Sequence, residues 1–170
     1  IEAAAIDSGF LTQKVYSFSA RNVMVGRRWY AIKGVAGEGK ISWEQSRVKI
    51  KGGGRLYLVG VDALKETIYK QLGNTQPGPD YMHFPDREPF NRDWFEQLTC
   101  ERIRTIYDTR GYPKREWYKP SNARNEALDI NAYADAAHIS LNINHRDRLG
   151  GMYKRDQTAD IAAVAQLFSG

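Results

Sequence analysis

Apolar and polar positions along this chain follow short patterns that predict strands alternating with helices. Residues 2–6 form a brief apolar run typical of a buried strand. Residues 11–20 fit either a helix or a strand, and we interpret them as a helix that crosses over to a second strand at residues 28–33. Three glycines separate residues 48–50 from residues 55–61, so these two runs predict a hairpin.

Helical spacing follows the hairpin. We expect Asp62 to cap a helix that runs to about Leu72, because apolar side chains recur there on one face. Residues 73–80 are a loop rich in glycine and proline, and residues 81–84 predict a short strand that Pro85 stops. The remaining pattern predicts, in order, a helix at 91–98, a hairpin of strands 101–107 and 114–118, a helix at 122–138, a basic loop at 145–155 and an amphipathic helix at 158–168. The mixture of strands and helices indicates an α/β fold.

Composition and charge narrow the function. The 170 residues are enough for one domain with a core, and 42% hydrophobic content is typical of a folded protein. The formal net charge of +5 is unevenly spread. Residues 27–55 hold eight Lys or Arg against two acids, and residues 101–124 hold seven against three. Aromatic residues are interleaved with these basic ones, a combination that suits either a nucleic-acid backbone or a solvated basic surface over core aromatics.

Other sequence features exclude several classes. Cys100 is the single cysteine, which rules out an internal disulfide and a cysteine zinc cluster and favours a reducing compartment. No apolar run approaches the ~20 residues that span a bilayer, and no signal peptide is visible. Because the chain opens with Ile1 directly in a strand-like run, we expect it to be part of a longer protein.

Residues 34–40 match the pattern G-x-x-x-x-G-K of a phosphate-binding loop. Such a loop needs Ser or Thr next, to hold magnesium, and then a helix. Ile41 occupies that position here, and residues 42–50 alternate in the manner of a strand. We therefore predict no ATP site, and interpret the segment as a mobile basic loop facing nucleic acid.

Two isolated acids are the candidates for chemistry. Asp7 ends the first predicted strand, where it is either a turn-former or a ligand. Asp129 lies on the Ala-rich helix, on the same face as Asn125 and Glu126. A buried carboxylate is costly unless it is paired or bound to a metal, so Asp129 either binds a cation or forms a salt bridge, for instance to Arg124. Oxygen ligands of this kind favour Mg²⁺ or Mn²⁺ over zinc.

Four further residues are candidates, and three of them allow two interpretations each. Asp62 is either a helix cap or a ligand, and Lys65, one turn further along, can reach a phosphate. His83 is either a proton carrier or a packed histidine. Glu101 either binds metal or pairs with Arg124 or another base.

Several short segments of the chain, taken together, resemble a known protein family. They are I-D-S-G at 6–9, I-K-G at 32–34, V-G-V-D-A-L-K-E-T-I-Y at 59–69, H-F-P at 83–85, Q-L-T at 97–99, and R-N-E-A-L-D at 124–129 with Tyr133. Taken in this order, residues 1 to about 138 resemble the C-terminal part of bacteriophage terminase large subunits, specifically the lambda-like GpA family. The segments at 59–69 and 124–129 are the most specific.

The resemblance implies a DNA-packaging nuclease with an RNase H-like fold and two divalent metals, Mg²⁺ or Mn²⁺. In that family the first catalytic Asp lies on a strand upstream of the one matching residues 2–6, so Asp7 corresponds to the second acid and Asp129 to the acid on the last helix. We expect the first strands of the fold to be missing here, which exposes the edge of the strand at 2–6. Residues 1–140 would be this nuclease region and residues 141–170 a tail with a short helix.

The residues and the resemblance together suggest roles and partners. We predict catalytic roles for Asp7, Asp129, Lys65 and His83, metal binding by Asp7, Asp129 and Asp62, support of the site by Asn125, Glu126 and Arg124, and contacts to the DNA backbone by Lys33, Lys40, Lys49 and Lys51. The implied partners are double-stranded DNA, the small terminase subunit and the portal protein, in the cytoplasm of a bacterial host and without a membrane. With its first acid missing, the chain alone is expected to bind metal weakly. The rival hypothesis is a non-catalytic DNA-binding or assembly module.

Overall fold

The main sheet has four strands and joins distant parts of the chain. In the computed structural model, residues 1–50 and 53–142 are described. The strands are β1 (Ala3–Asp7), β2 (Arg28–Val35), β3 (Glu44–Lys49) and β4 (Arg55–Gly60), in the order β1-β2-β4-β3. β1, β2 and β4 run parallel, and β3 pairs antiparallel with β4. The predicted α/β class is confirmed in this coarse sense.

Four helices and a separate hairpin complete the described part. The helices are α1 (Thr12–Met24), α2 (Val61–Leu72), α3 (Arg92–Leu98) and α4 (Glu126–Ser140). The hairpin consists of β5 (Arg102–Tyr107) and β6 (Pro113–Tyr118), which form a two-stranded antiparallel sheet. None of the described helices has the length and apolar character needed to cross a membrane.

The two faces of the main sheet are covered differently. On β2, Ile32 faces the larger core, which contains Val59, Leu98 and Leu128 together with the apolar sides of α2 and α4. Its neighbour Ala31 faces the opposite side, where a smaller cluster packs beneath α1. This alternation follows from the pleat of a strand, which points successive side chains to opposite faces. The larger core fixes α2, α3 and α4 over one face of the sheet.

Most predicted elements are confirmed. The ambiguous run at 11–20 is helical, residues 91–98 form a helix capped by the Asn91 side chain, and both hairpins are present. The predicted strand at 81–84 is wrong, because these residues find no sheet partner. Their alternation instead reflects Met82 and Phe84 packing against the larger core.

Two helix starts also differ from the prediction. Gly60, not Asp62, occupies the N-cap position of α2, and the Asp62 carboxylate accepts a hydrogen bond from the backbone N–H of Gly37 at 2.9 Å instead. The helix predicted from residue 122 begins at Glu126. The basic loop at 145–155 and the helix at 158–168 lie outside the described residues, and the division of the chain at residue 140 stays a prediction.

The segment at 34–40 does not lead into a helix. Gly34 and Val35 are the last residues of β2, and the non-helical segment 36–43 connects them to β3. The helix dipole and the row of free N–H groups that a phosphate-binding loop relies on therefore do not follow this segment.

Candidate functional site

The parallel strands bring the candidate residues to one edge of the sheet. Because β1, β2 and β4 share a direction, their carboxyl ends lie side by side. Asp7 ends β1, Gly34 lies at the end of β2, and Gly60 ends β4 and leads directly into α2. Open α/β sheets bind ligands at this edge, so it is the natural place for a site.

Asp7 is held in a fixed turn. Its Oδ1 accepts a hydrogen bond from the Gly9 N–H at 2.9 Å, as a turn-forming Asp does. The neighbouring Ser8 is buried, and its hydroxyl donates to the Ile32 carbonyl at 2.7 Å. By strand alternation Asp7 lies on the same face as Ala5, the face that α4 covers. The turn therefore presents an exposed carboxylate toward α4.

Tyr133 of α4 lies within electrostatic reach of both candidate acids. Burial raises the pKa of Tyr133, and the negative charges of Asp7 and Asp129 raise this pKa further. Its hydroxyl lies against Gly34, where an added Cβ would come within 2.7 Å of the phenolic oxygen. Glycine at position 34 is therefore required for α4 to approach the end of β2.

The densest charge cluster lies between α2 and α4. The Lys65 Nζ donates to both carboxylate oxygens of Glu101, at 2.8 and 2.9 Å, and lies 3.5 Å from Asp129 Oδ1. The Asn125 amide donates to Glu101 Oε1 at 2.7 Å and to Asp129 Oδ2 at 3.0 Å. The Tyr69 hydroxyl donates to the Glu101 carbonyl at 2.8 Å, which fixes the backbone just before β5. One lysine thus joins two carboxylates from separate elements.

Burial explains why these side chains pair. Lys65 and Glu101 are 7% and 4% exposed, and an isolated charge at such positions would be very costly. Burial also raises the pKa of Asp129, the Glu101 charge adds to this rise, and the Lys65 ammonium opposes it. The salt-bridge interpretation of Asp129 is thus realised with Lys65, not with Arg124.

A groove of about 290 Å³ opens beside this cluster. Asp62, Lys65 and Glu101 line it together with Gly37, and the strand β6 lines it from the hairpin. Asp62 therefore shares a surface with Lys65, although its Oδ2 is engaged by the Gly37 N–H. The groove therefore opens the charge cluster to solvent on this side.

Three other predicted residues lie at the margin. Glu126 is exposed at the start of α4, and its charge contributes to the raised pKa of Asp129. Arg124 is exposed and forms no ion pair with the described residues, while its carbonyl accepts a hydrogen bond from Cys100 Sγ at 3.1 Å. His83 is exposed and contacts the Tyr81 ring edge-on. Within residues 1–50 and 53–142, no hydrogen bond or ion pair links His83 to the charge cluster.

The predicted DNA-binding lysines are spread over the molecule. Lys40 lies beside Gly37, next to the groove. Lys33 follows Ala31 on the face that α1 covers. Lys49 pairs with Arg55 at the opposite end of the sheet, and Lys51 lies outside the described residues. Their role in DNA binding stays a prediction, and of the three described lysines Lys40 is the one that lies beside a residue lining the groove, Gly37.

Two residues of the site have no definite role in the sequence pattern. The sequence allows Glu101 either metal binding or pairing, and its partner is Lys65, 36 positions away. Tyr133 lies one helical turn beyond Asp129, so the i to i+4 spacing places it on the same face. That spacing is the available signal for Tyr133, whereas nothing local connects Glu101 to Lys65.

The donor chemistry suits a hard cation, but the described ligands are too few for a complete site. Carboxylate oxygens are the ligands that Mg²⁺ and Mn²⁺ prefer. Asp7 offers them at the end of β1, and Asp129 offers them on α4. Across the described ranges, no group of three or more His, Cys, Asp or Glu side chains is arranged to hold a metal ion.

Comparison with known proteins gives one match. The family model described as terminase large subunit gpA, endonuclease domain, matches residues 1–149. No curated protein and no solved structure matches the chain.

Proposed function

Since this chain belongs to the endonuclease-domain family of terminase large subunit gpA, we propose that it is the nuclease part of a phage DNA-packaging terminase and cuts concatemeric double-stranded DNA with the help of divalent metal ions. The observation that carries the proposal is geometric: Asp7 ends β1 on the sheet face that α4 covers, and Asp129 lies on α4 one turn before Tyr133, whose hydroxyl lies against Gly34 at the end of β2. A metal-dependent nuclease needs carboxylates supplied by separate elements at one edge of the sheet.

An RNase H-like fold for the intact protein is part of this proposal. Three parallel strands covered by α4 on the site face are compatible with it. β1 is the outer strand of the described sheet, and a groove of about 550 Å³ runs between it and α4, lined by Ala3, Ala5, Ile130 and Ala134. Preceding strands that pair with β1 would cover this groove and carry the third carboxylate.

Asp7 and Asp129 would hold Mg²⁺ or Mn²⁺ together with that third carboxylate. When bound, the metals supply a Lewis acid for the phosphate and lower the pKa of the attacking water. Asn125 orients Asp129 by donating to its Oδ2, which leaves Oδ1 facing the ammonium of Lys65. Glu126 and Arg124 would influence Asp129 at longer range, through their charges near the start of α4.

Lys65 would neutralise the phosphate that is cut. Its ammonium has three donors, and two of them are engaged by Glu101. The contact with Asp129 at 3.5 Å is longer than a normal N–H···O hydrogen bond, so one donor is available to a phosphate oxygen in the groove. Glu101 therefore fixes the direction of Lys65 and leaves one of its three N–H donors unengaged.

The test is DNA cleavage by the intact large subunit with Mn²⁺. Asp129→Asn and Asp7→Asn should each lower cutting at least ~100-fold with DNA binding unchanged, because a two-metal site loses a ligand. Asp135→Asn, on the same helix, is the matched control and should cut normally. Unchanged cutting by Asp129→Asn would refute the assignment.

The rival function is a non-catalytic DNA-binding or assembly module. The pairing of Asp129 with Lys65 favours it, since a carboxylate already neutralised by a lysine needs no metal. In that case Mn²⁺ would not bind, and both Asp variants would assemble with the small subunit and the portal as the unaltered protein does. Isothermal titration with Mn²⁺ separates the two functions without requiring cleavage.

A further inference from the structure

The β5–β6 hairpin is built differently from the rest of the described fold. It forms its own two-stranded sheet, and nearly all of its side chains are exposed or half-exposed. Two side-chain contacts tie it to α2: the Trp117 ring packs on Tyr69, with centroids 5.1 Å apart, and Arg115 pairs with Glu66 at 3.2 Å. An isolated two-stranded hairpin has little stability of its own. The hairpin therefore adds surface to the molecule more than it adds core.

This surface is basic, and the carboxylates of Asp108 and Glu116 already have hydrogen-bond or salt-bridge partners within the hairpin. The Asp108 Oδ1 accepts the N–H groups of Arg110 and Tyr112 within the turn, and Glu116 pairs with Arg104 at 2.7 Å. Four further cations of the hairpin region form no ion pair with the part of the chain that the structure describes: Arg102, Arg110, Lys114 and Lys119. The hairpin thus carries a positive charge that no described carboxylate neutralises.

Exposed aromatic rings accompany this charge. Tyr107 and Tyr112, on either side of the turn, are 71% and 66% exposed. The Arg104 guanidinium lies over the Tyr118 ring, 5.0 Å from its centroid. Exposed rings beside unpaired cations are typical of nucleic-acid-binding surfaces, because the cations attract phosphates and the rings can pack against the sugars of the backbone.

The hairpin also forms one wall of the groove beside the charge cluster. Lys114, Arg115 and Lys119 line that wall, and Lys65 and Glu101 line the other. A polyanion that lies along β6 would therefore pass directly in front of the Lys65 ammonium. Electrostatic potential in such a cleft is strongest where basic side chains face one another.

We propose that the β5–β6 hairpin binds the phosphate backbone of DNA and holds one strand along the groove beside Lys65. This inference rests on the proposed nuclease function, which gives DNA binding by the hairpin its purpose. The affinity of the hairpin for DNA does not itself require cleavage. The hairpin differs from the lysines on β2 and β3, which lie on another face or at the other end of the sheet. The contacts are to phosphates, so binding is independent of base sequence.

The experiment measures the affinity of the protein for duplex DNA by fluorescence anisotropy, in EDTA and at several KCl concentrations. Arg110→Gln with Lys114→Gln removes two unpaired hairpin cations. Affinity at low salt should fall roughly tenfold or more, and the slope of log K against log [KCl] should become shallower by about 0.9 for each phosphate that the variant no longer neutralises. Two duplexes of unrelated sequence should show equal decreases in affinity.

The matched control is Lys14→Gln with Arg21→Gln on α1, which removes the same charge from exposed positions. This pair should leave the salt slope unchanged. Equal effects of the two pairs, or no effect of the hairpin pair, would overturn the proposal. Because cleavage is absent in EDTA, binding and cutting are separate readouts. Weaker binding by the hairpin pair, together with no cutting by the unaltered protein in Mn²⁺, refutes only the nuclease function. Normal cutting by the unaltered protein, together with unchanged binding by the hairpin pair, refutes only the role of the hairpin in DNA binding.

Discussion

The charge cluster under α4 and the β5–β6 hairpin use the same residue types in opposite ways. In the cluster, Lys65 and Glu101 are buried and joined by two hydrogen bonds. In the hairpin, Arg104 and Glu116 also pair, but both are about half exposed, and neighbouring cations such as Arg110 and Lys114 have no described acid as a partner. Water makes the difference, because it solvates the charges of the hairpin and is excluded from the cluster.

The largest contrast should be seen when one partner of each pair is removed. Glu101→Ala leaves Lys65 buried with Asp129 as its remaining counter-charge and frees the Asn125 amide, so the free energy of unfolding should fall by about 3–5 kcal/mol. Glu116→Ala in the hairpin should lower it by at most about 1 kcal/mol. Urea denaturation of both variants checks this, and equal decreases would show that the two pairs do not differ.

A second prediction tests how tightly the residues around Gly34 pack at the carboxyl edge of the sheet. Gly34→Ala puts a Cβ 2.7 Å from the Tyr133 hydroxyl and 3.2 Å from Val61 Cγ1, so unfolding free energy should fall by about 1–3 kcal/mol. Tyr133→Phe removes the colliding oxygen and should restore much of this stability in the double variant. In the hairpin, Gly111 has no neighbour within 4 Å of such a Cβ, and its positive φ of 82° would alone penalise alanine. No rescue by Tyr133→Phe would contradict the packing at Gly34.

A third variant concerns pH. Since the pKa of Asp129 is raised in the folded state, the folded protein binds a proton there more readily than the unfolded chain. The contribution of Asp129 to stability therefore decreases as pH rises from its ordinary pKa through its raised one. Asp129→Asn should raise the melting temperature at neutral pH and flatten the profile across that window, by less than the change at Gly34, because the side chain is one-third exposed. An unaltered melting profile between pH 4 and 7 would refute this.

The smallest effect is expected where the hairpin meets α2. Arg115→Gln breaks the pair with Glu66, and both side chains are about half exposed. The unfolding free energy should change by no more than about 1 kcal/mol, and 1 M KCl should abolish the difference. A decrease as large as that of Glu101→Ala would mean that the hairpin is part of the core.

Local pattern was sufficient for the elements whose stabilising contacts are local. Alternation and glycine spacing predicted both hairpins, and Asn91 before residues 92–98 marked a helix start. The pattern failed at residues 81–84, because an alternating apolar run looks the same whether it pairs in a sheet or packs into the core as extended chain. It also misjudged Asp62, whose carboxylate bonds to a backbone N–H 25 positions earlier.

Sequence order placed Asp7 at a strand end and Asp129 on a helix, and both placements hold in the structure, while their roles in metal binding and catalysis stay predictions. The Lys65–Glu101 pair could not be predicted from local sequence, because only tertiary packing brings α2 close to the residue that precedes β5. The basic surface was foreseen between residues 101 and 124, but which lysines border the groove depends on the side of the sheet that each one faces.

The separation of partners along the chain has a consequence for folding kinetics. Parallel pairing joins Ala3 to Arg28 and Ala31 to Leu56, each 25 positions apart, and the Lys65–Glu101 pair spans 36. Closing such loops costs chain entropy before any contact is gained, and domains with many non-local contacts fold more slowly than helical ones of equal length. During synthesis, Lys65 leaves the ribosome well before Glu101. We therefore expect the charged site to assemble late in folding, after α2 and the segment around Glu101 have come together.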